Sequence, residues 1–238
     1  TPPEHLKDQF KSGHLEFELK GKKLHGRWLL QRTNRAAGKK NQWLLIKRHD
    51  PINTKKSRRK DDPWPRDLSP QLALLSTQVP AGPDWLHEIK FDGYRTITTV
   101  KKKAITFLTR NGLDWTKKYQ ALEKEFKNLK LDSAIFDGEI VALNEKGQSN
   151  FSDLQLALHD NDFSNVIYYL FDLLYLNGED LRQQPLELRK QKLKEILESK
   201  ADDKGKLRFS EHFRAQGKEL FTQACREGLE GIVSKNRN

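Results

Sequence analysis

Six short apolar runs between residues 85 and 234 constrain the fold of this 238-residue chain more than any other feature of its sequence. Two strands pair in parallel only through a crossover of about a dozen residues or more, usually a helix. Several connections between these runs are shorter than that, so we predict an α+β domain with mostly antiparallel sheets. The predicted strands cover residues 85–90, 96–100, 104–108, 135–143, 166–176 and 229–234.

Three further segments between these runs have the apolar spacing of amphipathic helices. The segment 119–130 places Leu122, Phe126 and Leu129 on one stripe. The segment 216–226 is followed by Gly228, a residue that commonly ends a helix. The predicted helices cover residues 119–130, 186–199 and 216–226.

The N-terminal quarter of the chain has a different character. Residues 14–19 alternate apolar and polar side chains, and two further strand-like runs follow at 24–30 and 43–47. About 35 residues of strand do not enclose a core alone, so we interpret residues 1–49 as a β-rich tail of another domain. Residues 50–67 contain several prolines and the run Lys55-Lys56-Ser57-Arg58-Arg59-Lys60, which is typical of a linker.

Charge divides the chain at the same place. The whole sequence has a net charge of +11, the first 60 residues carry +12, and the remaining 178 carry −1. A basic segment of this kind indicates a polyanion-binding arm, with nucleic acid as the first candidate because phosphate neutralisation supplies most non-specific affinity. The alternative is a solvated linker whose charges only keep it soluble.

Cysteine and hydropathy exclude several classes of protein. The single Cys225 leaves no partner for an internal disulfide and no Cys-rich zinc site. No apolar run approaches the roughly 18 residues that a membrane helix needs, and no signal-peptide pattern opens the chain. We therefore expect a cytoplasmic protein with no membrane partner.

The segment Glu88-Ile89-Lys90-Phe91-Asp92-Gly93-Tyr94-Arg95 is the first candidate for chemistry. Two-residue periodicity places Glu88 and Lys90 on one face of a strand, and Asp92-Gly93 predicts a tight turn. A lysine attacks phosphorus or a carbonyl only without its proton, and free lysine titrates near ~10.4, so desolvation or a neighbouring cation is needed. An exposed lysine beside an ordinary hairpin is the alternative.

Other segments agree with a phosphate or nucleotide site. Arg110 ends a strand in Thr109-Arg110-Asn111-Gly112, and the otherwise apolar strand at 135–143 carries Asp137 and Glu139, which are improbable there unless paired or bound to a metal. An aromatic of the run 168–175 is suited to stacking on a base, although its composition favours core. Glu230 and Lys235 are five residues apart, so a straight strand sends them to opposite faces and only a bend near Gly231 joins them.

These motifs together resemble those of ATP-dependent DNA ligases, over about residues 68–238. The residues of these motifs are most similar to those of the bacterial end-joining ligase D. Residues 10–49 resemble the end of the 3′-phosphoesterase domain of that family. The motifs, in the order of the family, are Lys-Phe-Asp-Gly-Tyr-Arg, Thr-Arg-Asn-Gly, Phe-Asp-Gly-Glu, Leu-Phe-Asp-Leu-Leu-Tyr-Leu-Asn-Gly and Glu-Gly-Ile-Val-Ser-Lys.

The resemblance implies an ATP-grasp-like nucleotidyltransferase (adenylation) domain in which Lys90 is the catalytic nucleophile that takes AMP from ATP. Glu139 and Glu230 would hold the ribose or a divalent metal, Mg²⁺ or Mn²⁺. The implied cofactor-binding residues are Glu88 beside adenine, Ile89, Arg95 and Arg110 near ribose and phosphates, Phe171 stacked on the base, Glu139, Glu230, and Lys235 at the phosphate.

The implied substrate is nicked or broken duplex DNA, sealed in double-strand break repair by a bacterial, nucleoid-associated monomer, with a Ku-like end-binding protein as a further partner. In the family, a Lys-x-Lys motif and an OB-fold domain follow the last of these motifs, so we expect a chain ending at Asn238 to adenylate itself poorly. Two alternatives stay open: a non-catalytic nucleic-acid-binding fragment with a basic arm, and an RNA ligase or capping nucleotidyltransferase.

Overall fold

The structure is a computed structural model that describes residues 9–21, 25–33, 42–47, 64–65, 67–199, 205–214 and 216–238. The chain divides into two units, Thr1–Lys60 and Asp61–Asn238. Most of the linker predicted at 50–67, including Lys55, Lys56, Arg58, Arg59 and Lys60, lies outside the described residues. Within the described ranges, no helix is long and apolar enough to cross a membrane.

The first unit contains a three-stranded antiparallel sheet in the order β1-β2-β3. The side chains of β1 alternate between exposed and half-buried, as its sequence predicts, and Leu29 of β2 is buried. The Phe10 and Trp43 rings stack with their centroids 5.0 Å apart. The strands are β1 His14–Lys20, β2 His25–Thr33 and β3 Gln42–Lys47.

The second unit contains two sheets. Its strands are β4 Trp85–Ile89, β5 Tyr94–Lys101, β6 Ala104–Thr109, β7 Ser133–Ala142, β8 Val166–Leu176, β9 Glu179–Asp180, β10 Leu207–Phe209, β11 His212–Arg214 and β12 Ile232–Asn236. The larger sheet has the order β10-β8-β7-β5-β6, with β9 paired to β8, and the smaller has the order β11-β4-β12. Every described pair is antiparallel except β10 with β8.

Among the described residues of this unit, four helices flank the sheets: α1 Glu123–Asn128, preceded by a 3₁₀ turn, α2 Phe151–Asp160, α3 Leu186–Glu198 and α4 Gly217–Arg226. Helix α1 packs on β6, α2 on β7, and α3 on β8 and β10, whereas α4 packs on the smaller sheet. Phe126, Leu154 and Leu193 from the first three helices join the apolar side chains of the larger sheet in one buried cluster. Removal of this apolar area from water is the main term that stabilises the unit.

The predicted fold class is confirmed: the unit is α+β with mostly antiparallel sheets. Each predicted strand and helix is present within a few residues of its expected limits, and β8 matches residues 166–176 at both ends. Helix α2 and the short strands β9, β10 and β11 were not predicted. Two asparagines delimit α2: the Asn150 side chain accepts the N–H groups of Ser152 and Asp153, and Asn161 ends the helix in a left-handed conformation.

The predicted tight turn at Asp92-Gly93 is wrong. Strands β4 and β5 belong to different sheets, so the segment between them is a crossing and not a hairpin. Gly93 is needed for another reason: a Cβ atom there would lie 2.1 Å from the Ile140 carbonyl oxygen. Gly138 is constrained in the same way by the Tyr169 carbonyl, at 2.3 Å. Both motif glycines therefore permit close backbone approach.

The hairpin between β5 and β6 turns at Lys102-Lys103, and both lysines have positive φ angles, 51° and 73°. A two-residue turn of this kind favours Asn-Gly, because a side chain at positive φ meets its own backbone. We predict that the double substitution Lys102→Asn and Lys103→Gly raises the free energy of unfolding by about 1 kcal/mol. Urea denaturation measures this change. Lys117→Asn is the control for charge loss at an exposed site, and an equal gain there would contradict the explanation.

Candidate active site

Lys90 lies immediately after β4, between the two sheets of the second unit. Its backbone N–H donates to the Gly231 carbonyl at 2.9 Å, and its ammonium contacts the Glu230 carboxylate. Gly231 has a φ of 143°, a conformation that favours glycine, and β12 begins at the next residue. Glu230 contacts Lys90, while Lys235 of β12 donates to Glu88 at 2.9 Å. Glu230 and Lys235 therefore contact two residues that are themselves only two positions apart.

Glu88 is almost completely buried, with 2% of its surface exposed. One carboxylate oxygen lies 3.0 Å from the Lys190 ammonium, and the other accepts from the Lys235 ammonium at 2.9 Å and the Ser210 hydroxyl at 3.3 Å. Burial by itself raises the pKa of Glu88, but the two ammonium groups outweigh burial and hold the pKa below its usual value. Glu88 is therefore an ionised acceptor inside the protein.

Arg95, Asp137 and Phe171 form the second part of the site. The Arg95 guanidinium donates two hydrogen bonds to the Asp137 carboxylate, at 2.8 and 2.7 Å. Its central carbon also lies over the Phe171 ring, 4.8 Å from the centroid, and the Lys235 ammonium lies 4.2 Å from the same centroid. The expectation that a buried carboxylate in this strand is paired is confirmed for Asp137.

A β-bulge brings Phe171 to this position. The register of β7 with β8 shifts between Asp137 and Gly138, whose partners are Asp172 and Leu170, so Phe171 has no opposite residue. A bulge redirects the side chain of the extra residue and is frequent beside functional sites. Periodicity within β8 alone does not show such a shift, because it arises from the pairing with another strand.

Glu139 stands opposite Arg95 in the β5–β7 pairing, on the same side of the strand as Asp137. Among the described residues it forms no ion pair, because Arg95 is bound to Asp137. Burial raises the pKa of Glu139 to about 8, with the Arg95 charge opposing this shift and the Asp137 charge adding to it. A bound cation would favour its ionised form.

The two carboxylates predicted to hold a metal both lie near Lys90: Glu230 contacts it, and the Lys90 charge acts on Glu139. The described residues contain no group of three or more His, Cys, Asp or Glu able to hold a metal by themselves. Two carboxylates nevertheless fit Mg²⁺, which commonly uses one or two protein carboxylates together with substrate phosphates and water. Glu139, half-buried and without an ion pair among the described residues, is the feature that fits a cation.

Arg110 and Ile89 are less closely placed. Arg110 is exposed in the turn after β6, and its backbone N–H donates to the Arg95 carbonyl at 3.1 Å. Ile89 lines a separate cavity of about 490 Å³ together with Phe91 and Leu229. Neighbouring strand residues point to opposite faces, so the Ile89 side chain does not join Glu88.

Sequence reasoning missed Lys190, which is fully buried and bonded to Glu88. The signal was present: Lys190 follows Leu186 by four residues and precedes Leu193 by three, so it occupies the apolar stripe of α3. A lysine on a buried stripe requires a charged partner. It also missed the individual role of Asp137 as the partner of Arg95.

Comparison with known proteins identifies the class. The family model for the ATP dependent DNA ligase domain matches residues 70–238. The ligase domain from Mycobacterium tuberculosis LigD aligns with a TM-score of 0.57 at 28% identity, covering 66% of this chain and 50% of that one. A mycobacterial DNA ligase D complexed with ATP and MES aligns with the same TM-score at 29% identity, over the same shares of both chains.

The chain therefore belongs to the ATP-dependent DNA ligase family, and residues 70–238 form its adenylation domain. Its relatives include the multifunctional non-homologous end joining protein LigD of Pseudomonas aeruginosa, 36% identical over 273 residues that cover 99% of this chain and 32% of that protein. The LigD of M. tuberculosis is 29% identical over 237 residues, covering 99% of this chain and 29% of that protein. This chain thus spans about a third of the length of either relative.

The raised pKa of Glu139 predicts how stability depends on pH. The folded state keeps this proton up to about pH 8, whereas an unfolded glutamate loses it near 4.5. The folded state thus binds more protons in this window, and the Glu139 contribution to stability falls as pH rises through it. We predict that Glu139→Gln gains about 1–3 kcal/mol over wild type between pH 5 and pH 8.

Denaturant titrations of both proteins across this pH range, without divalent metal, measure the difference. Glu145→Gln, at an exposed position after β7, is the control for charge removal. A constant difference between wild type and Glu139→Gln would mean that Glu139 is ionised throughout.

Proposed function

We propose that this chain carries the adenylation step of a DNA end-joining ligase, with Lys90 as the nucleophile. The Lys90 nitrogen attacks the α-phosphorus of ATP, an N–P bond forms, and the bond to the β-phosphate oxygen breaks. Pyrophosphate leaves with that electron pair, and the lysine loses a proton. The observation that carries this proposal is the position of Lys90: 44% exposed, at the end of a buried strand, in contact with Glu230.

The neighbours of Lys90 support this chemistry. Reaction requires the neutral amine, and the Glu230 carboxylate in contact with the Lys90 ammonium is positioned to accept its proton. The cationic groups of Arg95 and Lys235 lie over the Phe171 ring, on which the base is proposed to stack. They would also attract a triphosphate and stabilise the charge that develops on its oxygens.

The nucleotide would bind across both sheets. Glu88 would accept a hydrogen bond from the base, Phe171 would stack on it, and Arg95 and Arg110 would contact ribose and phosphates. Glu139 and Glu230 would hold Mg²⁺ or Mn²⁺, which supplies charge neutralisation at the phosphates when bound. Lys235 would contact the phosphates once it has left Glu88.

The sealing steps follow from this intermediate. An oxygen of a DNA 5′-phosphate would attack the adenylyl phosphorus, and the Lys90 nitrogen would leave and regain its proton. An adjacent 3′-hydroxyl would then attack the 5′-phosphate and release AMP. The names of the LigD relatives describe end joining, so we propose broken duplex DNA as the substrate of a nucleoid-associated monomer, with a Ku-like protein as the recruiting partner.

The nucleophile is tested with the full-length protein, ATP labelled at its α-phosphate, and Mg²⁺ or Mn²⁺. We expect covalent label in wild type and at least a 10³-fold loss in Lys90→Ala, the order of effect for loss of a nucleophile. Lys118→Ala is the matched control, because Lys118 is an exposed lysine outside the site. Label that persists in Lys90→Ala would sink the assignment.

Nicked DNA and nicked RNA, offered to the labelled enzyme, separate the two substrate classes. Sealing of DNA is expected. Preferential sealing of RNA would favour the RNA ligase alternative, and absence of covalent label in wild type would favour the non-catalytic fragment.

The basic arm is tested by neutralising Lys55, Lys56, Arg58, Arg59 and Lys60 together. We predict weaker DNA binding and a shallower dependence of affinity on salt, because each lost phosphate contact reduces the slope of log K against log salt by about 0.9. Formation of lysyl-AMP should be unchanged, since these five residues belong to the first unit, Thr1–Lys60, and the ligase unit is Asp61–Asn238. Equal loss of both activities would place the arm in the active site.

A further inference from the structure

Lys190 is a buried lysine that has no role in any step of the proposed reaction. It lies on α3 with no exposed surface, and its ammonium is 3.0 Å from the Glu88 carboxylate, 3.0 Å from the Ser210 carbonyl and 3.4 Å from the Phe171 carbonyl. The Phe209 ring lies 4.6 Å from it. A buried ammonium is retained only where such partners compensate its lost hydration.

Two of the partners of Lys190, Glu88 and Phe171, are the residues proposed to hold the base. Glu88 would accept from the base edge, and Phe171 would stack on its face, yet they lie in different sheets of the unit. The Lys190 ammonium forms an ion pair with the carboxylate of the first and donates to the backbone carbonyl of the second. One cation therefore sets the position of both groups.

Lys235 is the other cation beside Glu88, but it is differently placed. Its side chain is 23% exposed and its ammonium lies over the Phe171 ring. Arg95, also over that ring, is held by two hydrogen bonds to Asp137. A base that stacks on Phe171 needs a ring face that no cation covers. Moving Lys235 away from the ring costs less free energy than moving Arg95, because Arg95 would lose both hydrogen bonds to Asp137. Lys190 then remains as the ammonium beside Glu88.

We propose that Lys190 is a positioning residue for base selection, which holds Glu88 as a hydrogen-bond acceptor for the 6-amino group of adenine. An ionised carboxylate only accepts hydrogen bonds, whereas a protonated carboxyl also donates. Glu88 in its ionised form thus pairs with an amino group and disfavours a 6-oxo group. This inference rests on the proposed nucleotide site and concerns how that site chooses its base.

The other charged groups near Glu88 do not replace Lys190. His212 of β11 lies opposite Glu88 in the strand pairing, and burial lowers the pKa of its imidazole, so it is neutral near pH 7. Asp172 lies close enough to act on Lys190 but is itself bound by Arg189, at 2.8 and 2.9 Å. Without Lys190, a departed Lys235 would leave Glu88 buried with no cation, and burial would raise its pKa.

The test compares ATP with inosine triphosphate, which has an oxygen in place of the 6-amino group. In the full-length protein, formation of the covalent lysyl-nucleotide is measured from pH 6 to pH 9 for both nucleotides. Wild type should prefer ATP by roughly 10–100-fold, the range for one hydrogen bond to a charged group. The ratio of adduct formation with ATP to that with inosine triphosphate should not depend on pH.

Lys190→Met should lose part of this preference, and the loss should be larger at the acid end of the pH range, because burial without the Lys190 charge raises the pKa of Glu88. The KM for ATP should rise, while the rate at saturating ATP changes less, because Lys90 is untouched. Lys190→Arg retains the charge and should retain the ratio. Lys192→Met is the matched control, since Lys192 is a partly exposed lysine on the same helix, paired with Glu179 and not with Glu88.

A role confined to stability would reduce reaction with both nucleotides equally and leave the ratio independent of pH. That result, or the same shift in Lys192→Met, would overturn the inference.

If Lys190→Met does not fold, Glu88→Gln/Lys190→Met removes both buried charges together, and its glutamine both donates and accepts. The double variant should have little preference at any pH, and a ratio equal to that of wild type would contradict the inference. Failure of wild type to form either adduct would count against the proposed function instead.

Discussion

A buried carboxylate held between two ammonium groups is the interaction on which the arrangement of the site depends. Glu88 belongs to the smaller sheet, whereas Lys190 comes from α3, which packs on the larger sheet. Removal of an ion from water costs several kcal/mol, and only close, well-directed partners offset that cost. The contact is therefore specific to one alignment of the two sheets, and that alignment positions the end of β4, where Lys90 follows.

The groups of the site differ in how firmly they are held, and their proposed parts follow from that difference. Glu88 and Asp137 are buried and bonded to cations, so they are suited to binding and orientation. Lys90 and Glu230 are partly exposed and contact each other, so proton transfer and covalent change at Lys90 disturb little of the core. Glu139 is a half-buried acid opposite Arg95 in the β5–β7 pairing, without an ion-pair partner among the described residues.

Local sequence patterns predicted most elements of the fold, because burial on one face imposes a two-residue or 3.6-residue period. They failed where the cause lies in another segment. Gly93 resembles a turn residue but is required by the Ile140 carbonyl, and Phe171 is placed by a bulge that arises between two strands. Lys190 was missed because its neighbours in α3 suggest core packing, and its partner Glu88 is distant in the sequence. The proximity of Glu230 and Lys235 was accessible from the sequence only as a requirement for a bend at Gly231 or beyond, whereas the contact of Glu230 with Lys90 was not.

In the ligase unit, Asp61–Asn238, local pairing and not net charge determines which charged groups lie together. Residues 61–238 carry a net charge of −1, yet Lys90, Arg95 and Lys235 converge on one site because acidic partners within it hold them there. Buried pairs of this kind are screened by salt much less than exposed charges. Residues 1–60 have the opposite character, since they carry an excess charge of +12, which we propose acts on DNA phosphates. Under that proposal, salt should weaken DNA binding well before it weakens adenylation, so the two steps respond to ionic strength separately.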